Sequence, residues 1–424
     1  MSSSGVLHRS AGLPRHIHGV ADANFARLVQ AFAGVYANHR SGGGALAVYL
    51  DGEPVVDVWT GWSDRRRRHL WTEETGAMVF SASKGVASTV IHRLHDRGLV
   101  DYDTPVAQYW PEFGAGGKAT LTVRDLMRHR AGLSLLRGLR LEELMDHRAM
   151  EDRMAASRPS RRLHGKPAYH ALTYGWLMSG LARAVTGKGM ATLFRQEIAG
   201  PLDTDGIYLG RPPAGARTEA AQIIFPQRPL SVPLFDCAMR HAAGSPFALG
   251  LGSLYFPDMT SVVKGNVPFL DSEIPAANGV ATARALARMY GALANGGHAD
   301  GCRLLSPKTT AELVGRPSWT PDRGLVLPMS FHLGYHGLPV PPGLAPGFGH
   351  VGLGGSAGWA IPDNRLAIGF VHNRLLTPFA LADQAGFGAL VPLARWCAAS
   401  ARRRGFGPVA RLGARFADSA AAVS

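Results

Sequence analysis

Cysteine is scarce: Cys237, Cys302 and Cys397 are the only three in 424 residues, odd in number and far apart. With no CxxC pair, the chain offers neither a disulfide framework nor a thiolate metal knuckle. Charged residues reach only 18%, and no long polar low-complexity tract interrupts the chain, which excludes a largely disordered protein. No stretch approaches the roughly 18 consecutive apolar residues that cross a bilayer. Met1 to Asn24 lacks the continuous apolar core of a secretory signal. The expectation is a soluble protein of a reducing, cytoplasmic compartment. Histidine is plentiful at 17, yet no H-x-H, H-E-x-x-H or Cys/His cluster forms, and His129 stands between Arg128 and Arg130, a poor setting for a metal ligand. Neither a metal nor a cofactor is expected, since phosphate-cradling Gly loops and dinucleotide fingerprints are also missing.

What is present is apolar bulk. At 46% hydrophobic, the chain can bury a large core, and enzymes of this length often fold as one interlocked unit. Fifty-two Gly and 28 Pro imply many turns. The net charge of +14 raises the question of an anionic partner. The basic residues are spread along the chain, and the two dense runs, Arg65 to Arg68 and Arg402 to Arg404, have no interleaved aromatics. Nucleic acid is therefore not an expected partner. Weak peripheral association with anionic lipid stays open, and the oligomeric state is not legible.

Residues 45–50 and 55–59 are β-rich runs joined through Asp51-Gly52-Glu53-Pro54, a hairpin signal. Residues 356–361 and 365–371, joined through Pro362-Asp363-Asn364, form a second one, and 380–403 reads as a long closing helix with a kink at Pro392. Between them, Ser83 to Arg97, Val123 to His129, Tyr174 to Val185 and Thr282 to Ala294 carry helical signals. Strands at both ends with helices between suggest a sheet completed from both ends of the chain, and the α/β alternation of a parallel sheet is not apparent. The expected boundaries are an N-terminal extension and first helix (1–40), one main unit (41–405) and a tail (406–424). Within the unit, the sheet halves cover about 41–80 and 300–405 and the helical region about 81–300. Residues 212–272, rich in Pro, Gly and aromatics, read as an irregular insertion on the substrate side.

Ser81-Ala82-Ser83-Lys84 is a serine-x-x-lysine pattern. Residues i and i+3 share one helix face, about 5–6 Å apart at Cβ, so the Lys84 amine can approach the Ser81 hydroxyl directly. A serine at a helix N-terminus also lies near free N–H groups that favour developing negative charge. If desolvated, Lys84 becomes a neutral base. Gly354-Gly355-Ser356-Ala357-Gly358 satisfies a rival pattern, G-x-S-x-G, but that elbow needs a strand, a sharp turn and a helix. Ser356 leads into a hairpin instead.

The wider context of Ser81 is informative. Arg97-Gly98-Leu99-Val100-Asp101-Tyr102-Asp103-Thr104-Pro105-Val106, Leu121-Thr122-Val123-Arg124-Asp125-Leu126-Met127-Arg128-His129-Arg130-Ala131-Gly132-Leu133, and Ala277-Asn278-Gly279 before Thr282 occur in order after it. With these blocks the chain resembles the class C β-lactamase-like superfamily, from about residue 42 to 395. That superfamily includes penicillin-binding proteins, D-aminopeptidases and the family VIII carboxylesterases. The resemblance implies an α+β fold, an antiparallel sheet flanked by helices with an inserted helical region, and makes residues 41–405 a single catalytic unit. The resemblance implies Ser81 as nucleophile and Lys84 beside it, and in His164-Gly165-Lys166-Pro167-Ala168-Tyr169-His170-Ala171 it implies Tyr169 as the partner base, with Tyr174 the rival. It further implies that His350-Val351-Gly352 is the H-x-G version of the third motif, contributing His350 and Gly352 to the substrate side, and that the Leu353 N–H pairs with that of Ser81 as an oxyanion hole.

Two departures bear on substrate. His164 stands where the family usually has Pro. Ala171 stands where β-lactamases have an Asn that holds the substrate amide, which favours esters over lactams. The implied activity is hydrolysis of short- to medium-chain carboxylic esters, a small-molecule substrate, through an acyl-enzyme. A β-lactamase, D-amino-acid peptidase or acyltransferase is the alternative, and a non-catalytic binding protein the further one. Phe247, Leu249, Leu251, Leu254, Tyr255 and Phe256 are candidates to line an acyl pocket or, equally, to belong to the core.

Overall fold

The computed structural model describes residues 6–7, 13–37, 42–136, 138–225, 252–253, 255, 269–316, 318–325, 327–337, 339–340, 343–375 and 380–404. Its first elements are strands β1 (Val6–Leu7) and β2 (His18–Asp22), helix α1 (Ala26–Ala37), and strands β3 (Gly43–Leu50) and β4 (Glu53–Gly61). Strand β5 (Thr75–Met78) leads into helix α2 (Ser83–Asp96), and helix α3 (Thr173–Thr186) packs against α2. Strands β6 (Ile207–Leu209), β7 (Glu219–Ala220) and β8 (Gly279–Ala281) precede helix α4 (Ala283–Ala294). Strands β9 (Phe348–Val351), β10 (Ala357–Ile361) and β11 (Leu366–His372) and helix α5 (Ala380–Arg403) close the chain.

The principal sheet runs β1-β2-β4-β3-β11-β10-β9, every neighbour antiparallel. The expected pairing of the two ends of the chain is the β3–β11 contact, in register from Leu50↔Leu366 to Gly44↔His372. At the β3–β4 turn, Asp51 and Gly52 both take positive φ (56° and 84°), as the two-residue hairpin that matches strand twist requires. The sheet reaches further toward the N-terminus than a boundary at 41: β2 pairs with β4 from His18↔Trp59 to Ala21↔Val56. The first 40 residues thus contribute two strands and a covering helix.

All eight residues of β3 are buried, because the sheet is covered on both sides. Alternate residues go to opposite cores, as the two-residue strand period dictates. Ala45, Ala47 and Tyr49 join Leu286, Tyr290 and the residues of α2 and α3 in one cluster. Leu46, Val48 and Leu50 join Phe32, Trp359, Phe370 and Leu390 in the other, beneath α1 and α5. Small residues set the spacing on the first side: a Cβ on Gly358 would lie 2.1 Å from the Tyr290 ring. Helix α5 is continuous for 24 residues through Pro392. A second sheet, β6-β8-β5-β7, carries the strand that enters the Ser81 turn. Among the described residues no helix is long and apolar enough to cross a membrane.

Candidate active site

Strand β5 ends where the Val79 N–H donates to the Gly279 carbonyl at 2.8 Å. The chain then turns sharply: Phe80 is held at φ 47°, a conformation disfavoured for an aromatic residue and stored most often at functional sites. A short 3-10 turn, Phe80–Ala82, delivers Ser81 half-buried at the N-terminus of α2. Lys84, one turn on, is wholly buried. Its Nζ lies 3.0 Å from Ser81 Oγ and donates to the Ala276 carbonyl, also at 3.0 Å. Burial alone holds the Lys84 amine well below the ordinary lysine range. A neutral amine beside a serine hydroxyl is competent to accept its proton.

Ala276 is fixed by its neighbour. The buried Asn278 side chain accepts the Ile274 N–H and donates to the carbonyls of Phe269 and Ser272 at 2.9 and 2.6 Å. Gly279 then donates its N–H to Ser83 Oγ at 2.9 Å, joining this loop to the start of α2.

Tyr169 is also buried, and its phenol lies close enough to the Ser81 hydroxyl for that group to favour its ionised form. Lys84 Nζ is 5.0 Å from the centre of the Tyr169 ring. Burial pushes the phenol above its usual range, so the group rests neutral and protonated. The ring stacks on Phe331, centroids 5.6 Å apart and planes 3° from parallel. Tyr174, the rival, has its hydroxyl 2.6 Å from Ser88 Oγ, one turn further along α2 and deep in the core.

His350 sits on β9, 6.3 Å from Tyr169 between ring centres. Its Nδ1 lies 3.2 Å from the Val351 carbonyl, and its Nε2 is buried with no hydrogen-bond partner among the described residues. Burial, with His336 and Lys84 nearby, keeps the imidazole neutral well below the ordinary histidine range. His336 braces the strand: its Nε2 accepts the Val351 N–H at 3.2 Å and its Nδ1 lies 2.8 Å from the Gly337 carbonyl. Gly352 is required by contact, since a Cβ there would meet the Val79 carbonyl at 2.1 Å. This brings the Gly352–Leu353 turn against the residue two before Ser81, with the Leu353 side chain exposed.

Ser356 is buried, and its hydroxyl accepts the His372 N–H at 3.2 Å across the β10–β11 pair. It stands before a strand, not a helix. Of the proposed acyl-pocket set, only Tyr255 lies among the described residues, and Phe247, Leu249, Leu251, Leu254 and Phe256 lie outside them. Among the described residues no group of three potential metal ligands forms. Sequence reasoning did not single out Ala276, Phe331 or the packing role of His129. Ala276 and His129 border or belong to blocks that were noticed, but a carbonyl acceptor and an edge contact leave no compositional signal.

The sequence model of the family described as Beta-lactamase matches residues 22–391. The chain is 57% identical, over the full length of both proteins, to the esterase/beta-lactamase LipL of Mycobacterium tuberculosis. Among solved structures it is similar to a family VIII carboxylesterase, with TM-score 0.75 and 30% identity over 90% of this chain and 99% of that one. It is also similar to a penicillin-binding protein homologue from Caulobacter crescentus, with TM-score 0.73 and 30% identity over 88% and 99%. By the family model over most of its length and the full-length relative, this chain belongs to the beta-lactamase family of serine hydrolases.

Proposed function

We propose that this chain is a serine esterase that cleaves short- to medium-chain carboxylic esters through an acyl-enzyme on Ser81. The observation that carries this reading is the buried Lys84 amine, 3.0 Å from Ser81 Oγ and paired with no carboxylate among the described residues. As Oγ bonds to the ester carbonyl carbon, its proton passes to the neutral Lys84 amine. The N–H groups of Ser81 and Leu353 receive the oxyanion, a contribution on the order of 10²–10³ in rate per donor. When the intermediate collapses, the C–O bond to the alcohol breaks and the leaving oxygen takes a proton from the Tyr169 phenol, which Lys84 reprotonates. Water then enters by the same route in reverse roles and releases the acid. The neutral His350 Nε2 is a hydrogen-bond acceptor for substrate, and Gly352 lets the backbone approach it closely.

Esters rank above lactams for a local reason. Ala171, buried next to the Tyr169 loop, offers no side-chain hydrogen bond to an amide. The full-length relative named as both esterase and beta-lactamase supports slower β-lactam hydrolysis as a second activity of the same serine. The free cysteines Cys302 and Cys397 suit a reducing, cytoplasmic setting, and the net charge suits weak peripheral contact with anionic membranes.

The test is p-nitrophenyl butyrate hydrolysis by the native protein and by Ser81→Ala at equal concentration, with nitrocefin assayed in parallel. Ester turnover by the native protein alone supports the reading. Full activity in Ser81→Ala removes Ser81 as nucleophile. A native protein that opens nitrocefin faster than it cleaves any ester reverses the ranking of the two activities.

A further inference from the structure

The loop that carries Tyr169 is held from the turn after Met127, where one residue, His129, bonds it on both sides of the tyrosine. His129 is wholly buried and sits at φ 56°, in the left-handed region that is uncommon for residues other than glycine. Its own N–H donates to the Leu126 carbonyl at 3.0 Å. That backbone conformation directs two acceptors of one residue at the N–H groups of Ala168 and His170, the residues before and after Tyr169. The His129 carbonyl accepts the Ala168 N–H at 3.0 Å. The His129 Nδ1 accepts the His170 N–H at 3.1 Å. The His129 ring itself lies 5.1 Å from the Tyr169 ring and 4.3 Å from Phe331, which stacks on the other ring.

His170 completes the brace from the far side. Its Nδ1 lies 2.7 Å from the Ala168 carbonyl, and its Nε2 accepts the Leu133 N–H at 3.1 Å. Gly165 and Arg130 add a further backbone bond between the same two segments at 2.9 Å. Burial holds the His170 imidazole down to about 4 and the His129 imidazole well below the usual range. Both therefore keep the lone pairs that these bonds use throughout the neutral range.

We propose that His129 is a positioning residue for the acyl-transfer reaction: it holds the N–H groups of the residues before and after Tyr169, Ala168 and His170, so that the phenol stays aimed at Ser81 Oγ. This rests on the Ser81 and Tyr169 roles proposed above. His129 makes no bond to Ser81 or substrate in this scheme. It acts through the Tyr169 loop alone, and its effect should vanish when the phenol is gone.

The experiment compares kcat and KM for p-nitrophenyl butyrate in the native protein, His129→Phe, His129→Asn, Tyr169→Phe and the double variant His129→Phe/Tyr169→Phe, with thermal unfolding measured for each. Phe keeps an aromatic ring but has no acceptor. Asn places Oδ1 where Nδ1 stood and tolerates positive φ. The expected result is a fall in kcat of about 10- to 100-fold in His129→Phe, with KM changed by less than about threefold. His129→Asn should recover to within about threefold of native, and the double variant should be no slower than Tyr169→Phe. If His129→Phe does not fold, His129→Gly serves in its place, since Gly accepts the backbone conformation but lacks the acceptor. Native kcat in a folded His129→Phe, or equal losses with and without the phenol, overturns the clamp while leaving the Tyr169 role intact. Native kcat in Tyr169→Phe instead overturns the Tyr169 role and the clamp with it.

Discussion

Lys84 Nζ donates to the main-chain carbonyl of Ala276 at 3.0 Å, and it is to this dipole, not to a carboxylate, that the buried amine is anchored. A carboxylate would hold the proton on the amine. A carbonyl orients the nitrogen while leaving it free to be neutral, which suits a base 3.0 Å from Ser81 Oγ.

Replacing Lys84 by Arg should therefore abolish turnover even though positive charge is kept. Guanidinium does not deprotonate in proteins, and it is too large for a fully buried site. A drop in kcat of about 10³-fold or more is expected. Stopped-flow detection of a normal acylation burst in Lys84→Arg would contradict the assignment of Lys84 as base.

The same burial has a stability consequence whose sign is fixed. Burial holds the Lys84 amine of the folded chain well below its ordinary value, whereas the unfolded chain carries it as ammonium up to about pH 10. The unfolded state binds the extra proton, so this group opposes folding at neutral pH, and its cost fades as pH rises toward the unfolded value. The Tm difference between Lys84→Met and native protein should accordingly favour the variant most near neutral pH and least at alkaline pH. A difference independent of pH would show that Lys84 is charged in the folded state.

Tyr169→Phe should lower kcat about 10²–10⁴-fold, the usual range for losing one proton-transfer group. Burial raises the phenol, so ionisation of Tyr169 should not produce an alkaline limb at the ordinary tyrosine position. An activity loss centred near pH 10 that disappears in Tyr169→Phe would contradict this.

Gly352→Ala places a methyl group 2.1 Å from the Val79 carbonyl, so either the H-x-G turn or the Ser81 turn must move. Overpacking of this kind costs about 1–3 kcal/mol, and a shift of 1 Å beside the reacting atoms costs on the order of 10²-fold in rate. Unfolding by denaturant and ester kinetics together check it; native kcat would mean that the turn does not border the oxyanion.

Ser356→Ala should behave differently from Ser81→Ala. The Ser356 hydroxyl bonds the His372 backbone across the β10–β11 pair, so its loss costs about 1 kcal/mol of stability. Turnover should stay within about tenfold of native, whereas Ser81→Ala falls to background. Equal loss in both variants would return Ser356 to candidacy.

By itself, the sequence determined what short-range physics can encode. Asp51-Gly52 specified a hairpin turn because two consecutive positive-φ residues are tolerated there. Periodic apolar residues from Val86 to Leu94 specified the helix that brings Ser81 and Lys84 to one face. Ordered motif blocks pointed to the family and so to the antiparallel sheet. The rest depended on contacts between residues far apart in the chain. Ala276 lies 192 positions from Lys84, and an alanine carbonyl carries no mark of what it will accept. The reach of the sheet into β1 and β2 was missed because short strands gain their stability from the neighbour they pair with, not from their own residues. His129 read as a histidine between two arginines. Only tertiary packing turned its ring away from those charges and into the core, where its lone pair and carbonyl could grip the loop around Tyr169.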